Sequence, residues 1–124
     1  MAKKILVVDD DQNLTKLVES RLRANKFETI VAHSGKECLS KLIFEKPDLV
    51  LLDVMMPEAD GLTVLMVMNK IKEIIPKVPV IIMTGTDNQQ LKILIERQGI
   101  AGFVTKPFDA QVLIDQINKI FNQE

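Results

Sequence analysis

Three short apolar runs punctuate the chain: Ile5-Leu6-Val7-Val8, Leu49-Val50-Leu51-Leu52 and Val80-Ile81-Ile82-Met83. Each is rich in branched side chains and bounded by charge or by Gly and Pro. Continuous rather than alternating apolar character predicts strands covered on both faces, as in a parallel sheet. Two further segments, 28–33 and 100–105, are more polar or are diluted by small residues, and are predicted as edge strands. Helical spacing fills the gaps. Leu14, Leu17, Val18 and Leu22 share one face of a first helix, with Lys16, Glu19, Arg21 and Arg23 outside. Ser34 and Glu37 have capping-box spacing for a second helix, in which Leu39, Leu42 and Ile43 face inward before Pro47 ends it. A third helix is predicted from Asp60 or Gly61 to Ile75, and a fourth from Asn88 to Arg97, stopped by Gly99. The fifth starts near Phe108-Asp109 and carries Leu113, Ile117, Ile120 and Phe121. Five strand–helix repeats point to an α/β fold with an open, doubly wound parallel sheet.

Composition narrows the class. At 124 residues with 47% hydrophobic content, the expectation is a single domain spanning residues 1–124, since two would each lack a core. A formal net charge of -1 argues against direct nucleic-acid binding, which calls for a basic surface. No apolar run is long enough for membrane insertion, and the amino end lacks a signal-peptide pattern. One cysteine, Cys38, excludes an intrachain disulfide or a cysteine-based zinc cluster, and is read as a small buried hydrophobe. A cytoplasmic location is expected.

Candidate chemistry comes from the residues that end each strand, because ligands of such sheets bind outside the strands' carboxyl ends. The first strand ends in Asp9-Asp10-Asp11, the third in Asp53, the fourth in Thr84-Gly85 and the fifth in Thr105-Lys106-Pro107. Clustered carboxylates repel unless a cation intervenes. Lys106 supplies one positive charge, and the surplus negative charge calls for a divalent ion with oxygen ligands, ordinarily Mg²⁺. Each residue also has a plainer role: Asp11 as a helix cap, Thr84 as a turn former, Lys106 as a surface lysine. Asp53 fits a solvated turn poorly, between four apolar residues and Val54-Met55-Met56. His33 is read as a strand-end residue rather than a base or phosphodonor.

In this order and spacing, the motifs resemble the receiver domain of bacterial two-component response regulators, in the manner of the chemotaxis regulator. The resemblance runs through the opening Asp9-Asp10-Asp11 cluster, Asp48-Leu49-Val50-Leu51-Leu52-Asp53-Val54-Met55-Met56-Pro57, Met83-Thr84-Gly85, and Gly102-Phe103-Val104-Thr105-Lys106-Pro107-Phe108. It implies a flavodoxin-like (βα)5 fold with strand order 2-1-3-4-5. It also implies a phosphorylation-dependent switch, not an enzyme acting on an external substrate. Asp53 would accept a phosphoryl group from a sensor histidine kinase or a phosphotransfer protein. Asp10 would bind Mg²⁺ directly and Asp9 through water, with Asp53 and the Met55 backbone carbonyl adding oxygens. Lys106 would pair with Asp53 and then with the phosphoryl group. Thr84 would move to meet that group, with Phe103 as its aromatic switch partner. Met55 and Thr86 would flank the route of attacking water.

The resemblance places output to a downstream effector on the fourth helix, fifth strand and fifth helix, with Lys92, Ile93, Gln111, Ile114 and Asn118 as candidate contacts. Ile93 and Ile114 also read as ordinary, partly exposed apolar residues. It leaves dimer formation on phosphorylation open, and no effector domain is expected within the chain. Three other readings compete with it. A haloacid-dehalogenase-type phosphatase would need a second carboxylate where Met55 stands. A flavodoxin-like redox carrier would need a hydroxyl- and glycine-rich loop in place of the three aspartates. A degenerate receiver acting only as an interaction module would not need the full set of Asp10, Asp53, Thr84 and Lys106.

Overall fold

A computed structural model describes residues 2–54, 63–85 and 89–122. Its elements alternate throughout: β1 (Lys4–Val8), α1 (Gln12–Ala24), β2 (Glu28–Ala32), α2 (Gly35–Glu45), β3 (Leu49–Asp53), α3 (Val64–Ile74), β4 (Val80–Thr84), α4 (Gln89–Arg97), β5 (Gly102–Thr105) and α5 (Ala110–Phe121). The strands form one parallel sheet in the order β2-β1-β3-β4-β5. This is the flavodoxin-like α/β arrangement. The two polar segments are the edges, as their composition predicts.

Strand alternation divides the core into two layers. Leu6, Val8, Val50, Leu52 and Ile82 pack against Cys38 and Leu42 of α2, Val67, Met68 and Ile71 of α3, and Ile95 of α4. On the other face Ile5, Val7, Leu49, Leu51, Ile81 and Met83 meet Val18 and Leu22 of α1 and Leu113, Ile114 and Ile117 of α5. β3 and β4 are buried along their whole length, which is why they read as unbroken apolar runs.

Local chemistry sets the helix ends. Asp11 caps α1 by accepting from the Leu14 N–H at 3.0 Å. Ser34 caps α2 by accepting from the Glu37 N–H at 3.1 Å, and Asp109 caps α5 through the Gln111 N–H at 2.8 Å. Each satisfies a backbone donor that the first helical turn leaves without a partner. α2 ends at Lys46, which takes the left-handed conformation with φ 48°, directly before Pro47. Gly99, with φ 80°, turns the chain after α4.

The structure corrects several expectations. α3 begins at Val64, capped by the Thr63 hydroxyl, rather than at Asp60 or Gly61, and those two residues lie outside the described ones, as does Asn88. Leu17 and Ile43 are more than half exposed. Thr15 takes an inner-face position of α1, and Cys38 is buried on α2 as expected: one residue of offset is about 100° around a helix, enough to turn an apolar side chain from core to solvent. Ile114 is 2% exposed and belongs to the core, so it is not a surface contact, whereas Ile93 is exposed.

Candidate functional site

The carboxyl edge of the sheet gathers the polar residues. Asp9 follows β1, Asp53 ends β3, Thr84 ends β4 and Lys106 follows β5. Parallel pairing brings these ends level: Val8 lies beside Leu52, Asp53 beside Met83, and Thr84 beside Thr105. The backbone extends the ladder past the strands. Val54 N–H donates to the Met83 carbonyl at 3.2 Å, and Lys106 N–H to the Thr84 carbonyl at 2.7 Å. Lys106 is thereby anchored at the end of β4, with its side chain free to cross toward β3 and β1.

Asp9, Asp53 and Thr84 are buried, with exposures of 0%, 2% and 0%, while Asp10 faces solvent. Buried charges require partners, and here they share one. Lys106 Nζ lies 2.6 Å from Asp9 Oδ2 and 3.3 Å from Asp53 Oδ2. The ammonium therefore bridges two carboxylates and sits nearer to Asp9 than to Asp53. Burial alone pushes the Lys106 pKa down. The hydrogen bond to Asp9 and the charges of Asp53 and Asp9 outweigh that, so its net shift is upward. Asp9 is fixed further by the Asp11 N–H, which donates to Oδ1 at 3.0 Å. Its backbone carbonyl lies 2.9 Å from His33 Nδ1, a contact that requires the proton on Nδ1. His33 thus braces the site from the end of β2. Spacing in the sequence gave no sign of this brace, because it joins residues of different strands.

Asp9, Asp10 and Asp53 each present a carboxylate oxygen within 4.8 Å of the other two. Three oxygen donors at this spacing suit a hard divalent cation. One ammonium cannot neutralise three carboxylates, so the electrostatics of the cluster favour metal as well. Met55, whose carbonyl was expected to be a further ligand, lies outside the described residues, as does Thr86. Phe103 is half-buried on β5 and packs with the α2–α3–α4 layer. Its register partner is Ile82, which puts it on the same sheet face as Thr84.

The family model of the response regulator receiver domain matches residues 5–118. The chain belongs to the response regulator receiver family. Among relatives, the alkaline phosphatase synthesis transcriptional regulatory protein PhoP of Bacillus subtilis (strain 168) is 34% identical over 123 residues, covering 99% of this chain and 50% of its own length. The receiver therefore spans about half of that regulator. Among solved structures, a response regulator receiver domain protein from Clostridium thermocellum is 31% identical with a TM-score of 0.87, covering 98% of this chain and 95% of the other. NtrX from Brucella abortus is also 31% identical, with a TM-score of 0.90, covering 99% of this chain and 28% of its own. The receiver is a two-component signalling module rather than an enzyme in its own right, which sets aside the phosphatase and redox-carrier readings. No helix among its described residues is long and apolar enough to cross a membrane.

Proposed function

We propose that this receiver is a phosphorylation-dependent switch with Asp53 as phosphoacceptor, Mg²⁺ as cofactor, and a sensor histidine kinase or phosphotransfer protein as donor in the cytoplasm. The observation that carries the reading is the cluster itself. A buried Asp53 lies 3.3 Å from the Lys106 ammonium and within 4.8 Å of the Asp9 and Asp10 carboxylates. Phosphoryl transfer relies on positioning and charge neutralisation more than on covalent assistance, and these are what this set of residues offers.

In the proposed step, an Asp53 carboxylate oxygen forms a bond to phosphorus as the phosphorus–nitrogen bond of a phosphohistidine breaks. The imidazole leaves with the electron pair and takes up a proton. The product is an acyl phosphate. Lys106 offsets charge on the phosphoryl oxygens, and Thr84 donates a hydrogen bond to one of them. Asp10, Asp9 and Asp53 would hold Mg²⁺, which when bound supplies further neutralisation of the phosphoryl charge. As Thr84 turns toward the phosphoryl group, Phe103 reorients on the same sheet face. The resulting change in population is read on α4, β5 and α5, where Lys92, Ile93, Gln111 and Asn118 face a downstream effector.

The test is intact mass spectrometry after incubation with Mg²⁺ and a small phosphodonor, with Asp53→Asn alongside. An adduct in the parent and none in the variant is expected. Beryllofluoride titration followed by amide NMR supplies a second readout that does not depend on acyl-phosphate lifetime. No adduct together with an unchanged spectrum would leave a receiver that acts only through binding.

A further inference from the structure

β5 is held from both flanks by residues outside the acidic cluster. On the α5 side, Gln116 Nε2 donates to the Phe103 carbonyl at 3.2 Å. The same amide fills the space beside Gly102, its Oε1 lying 2.5 Å from where a Cβ would sit. This fixes the backbone of Phe103. On the α4 side, the Lys92 ammonium stands over the Phe103 ring, 5.8 Å from its centroid. Lys92 is half-buried, and among the described residues it makes no ion pair with a carboxylate. The face of an aromatic ring attracts a cation through its quadrupole, and partial desolvation strengthens the contact.

The backbone of Phe103 is thus tied to α5 while its ring is tied to α4, and only the second tie depends on the ring's rotamer. The geometry points to Lys92 as a positioning residue of the switch: a cation–π clamp that holds Phe103 in its resting orientation. This rests on the phosphoacceptor reading above and adds what sets the resting end of the equilibrium. A ligand that binds only the activated state has an apparent affinity scaled by the fraction of molecules already competent. Releasing the clamp therefore tightens apparent binding at the acidic site, although Lys92 touches none of its residues.

The experiment is a beryllofluoride titration with Mg²⁺, followed by NMR, on the parent, Lys92→Met and Lys92→Arg, with thermal melts confirming that each variant folds. Lys92→Met keeps the length of the side chain and removes its charge. Its midpoint should fall about two- to fivefold, the range expected for one partly exposed cation–π contact. Lys92→Arg should restore the parent midpoint, because a guanidinium also stacks on aromatic faces. In a Phe103→Leu background, Lys92→Met should produce no shift. In the parent, the Lys92 ε-methylene protons should feel the ring current at rest and lose it at saturation. A parent that responds while Lys92→Met keeps the same midpoint would overturn the clamp, as would an equal shift in the Phe103→Leu background. A parent that does not respond at all overturns the phosphoacceptor reading, and the clamp falls with it.

Discussion

β2 and β5 occupy equivalent places at the two edges of the sheet, and both are only partly buried. Their polar groups are used differently. On β2 the network closes on itself: Thr29 Oγ1 donates to Glu19 at 3.0 Å and accepts from Arg23 Nε at 3.0 Å, while Arg23 Nη2 reaches Glu19 at 3.0 Å. These contacts join β2 to α1 and go no further; His33, just past the strand, reaches the acidic edge through the Asp9 carbonyl. On β5 the contacts lead outward. Lys106 crosses to Asp9 and Asp53, Phe103 lies under Lys92, and the Phe103 carbonyl is bound to Gln116. An edge strand has one free side, and the two edges use it differently: the Thr29 network holds β2 to α1, while the β5 contacts reach the acidic cluster, α4 and α5.

Four changes sharpen that contrast, the largest expected effect first. Lys106→Met leaves two buried carboxylates without their shared cation. Urea denaturation without metal should show a loss of about 3 kcal/mol, in the range for breaking a buried pair, with Mg²⁺ restoring part of it. Asp10→Asn should have the opposite sign. It relieves like-charge repulsion at an exposed position, so metal-free stability should rise by about 0.5–1 kcal/mol, while Mg²⁺ affinity, followed by calorimetry, falls. Gly102→Ala should displace the Gln116 amide from the Phe103 carbonyl and cost about 1 kcal/mol, the net worth of one hydrogen bond. Adding Gln116→Ala should then cost little more by denaturant titration. On the other edge, Thr29→Val should cost less than about 1 kcal/mol and leave the beryllofluoride midpoint unchanged. A shifted midpoint would erase the distinction between the two edges.

The pH dependence of Lys106 has a definite sign. Its pKa is raised in the folded protein, because the partner carboxylates outweigh the effect of burial. Its contribution to stability is therefore complete below the unfolded-state pKa, near about 10.4, and is lost as pH rises through the raised folded value. The stability gap between the parent and Lys106→Met should stay flat up to that pH, as far as Lys106 governs it, and narrow above it.

Much of this was legible in the sequence. β1, β3 and β4 lie between two helical layers, so their apolar runs are unbroken, and the polar residues that end them stand out by contrast. Helix faces were harder to read. Leu17 and Ile43 are apolar but stand one position off the inner stripe, and Ile114 is buried where a surface contact was expected. The sequence also could not show how one ammonium divides between two carboxylates, with Asp9 the nearer. Nor could it show that His33 braces the Asp9 carbonyl or that Gln116 needs the space beside Gly102. All of these join residues far apart in the chain, and none leaves a periodic trace.

Cys38 carries a last consequence. Its side chain is fully enclosed in the α2–α3–α4 layer, and burial pushes its thiol pKa up to about 12. At neutral pH almost no thiolate forms while the layer stays closed, so alkylating reagents and oxidants find nothing to attack. The thiol then works as a clock: its labelling rate counts how often this half of the molecule opens. Timed with and without Mg²⁺ and beryllofluoride, that clock would report how far ligands at the acidic edge steady this layer.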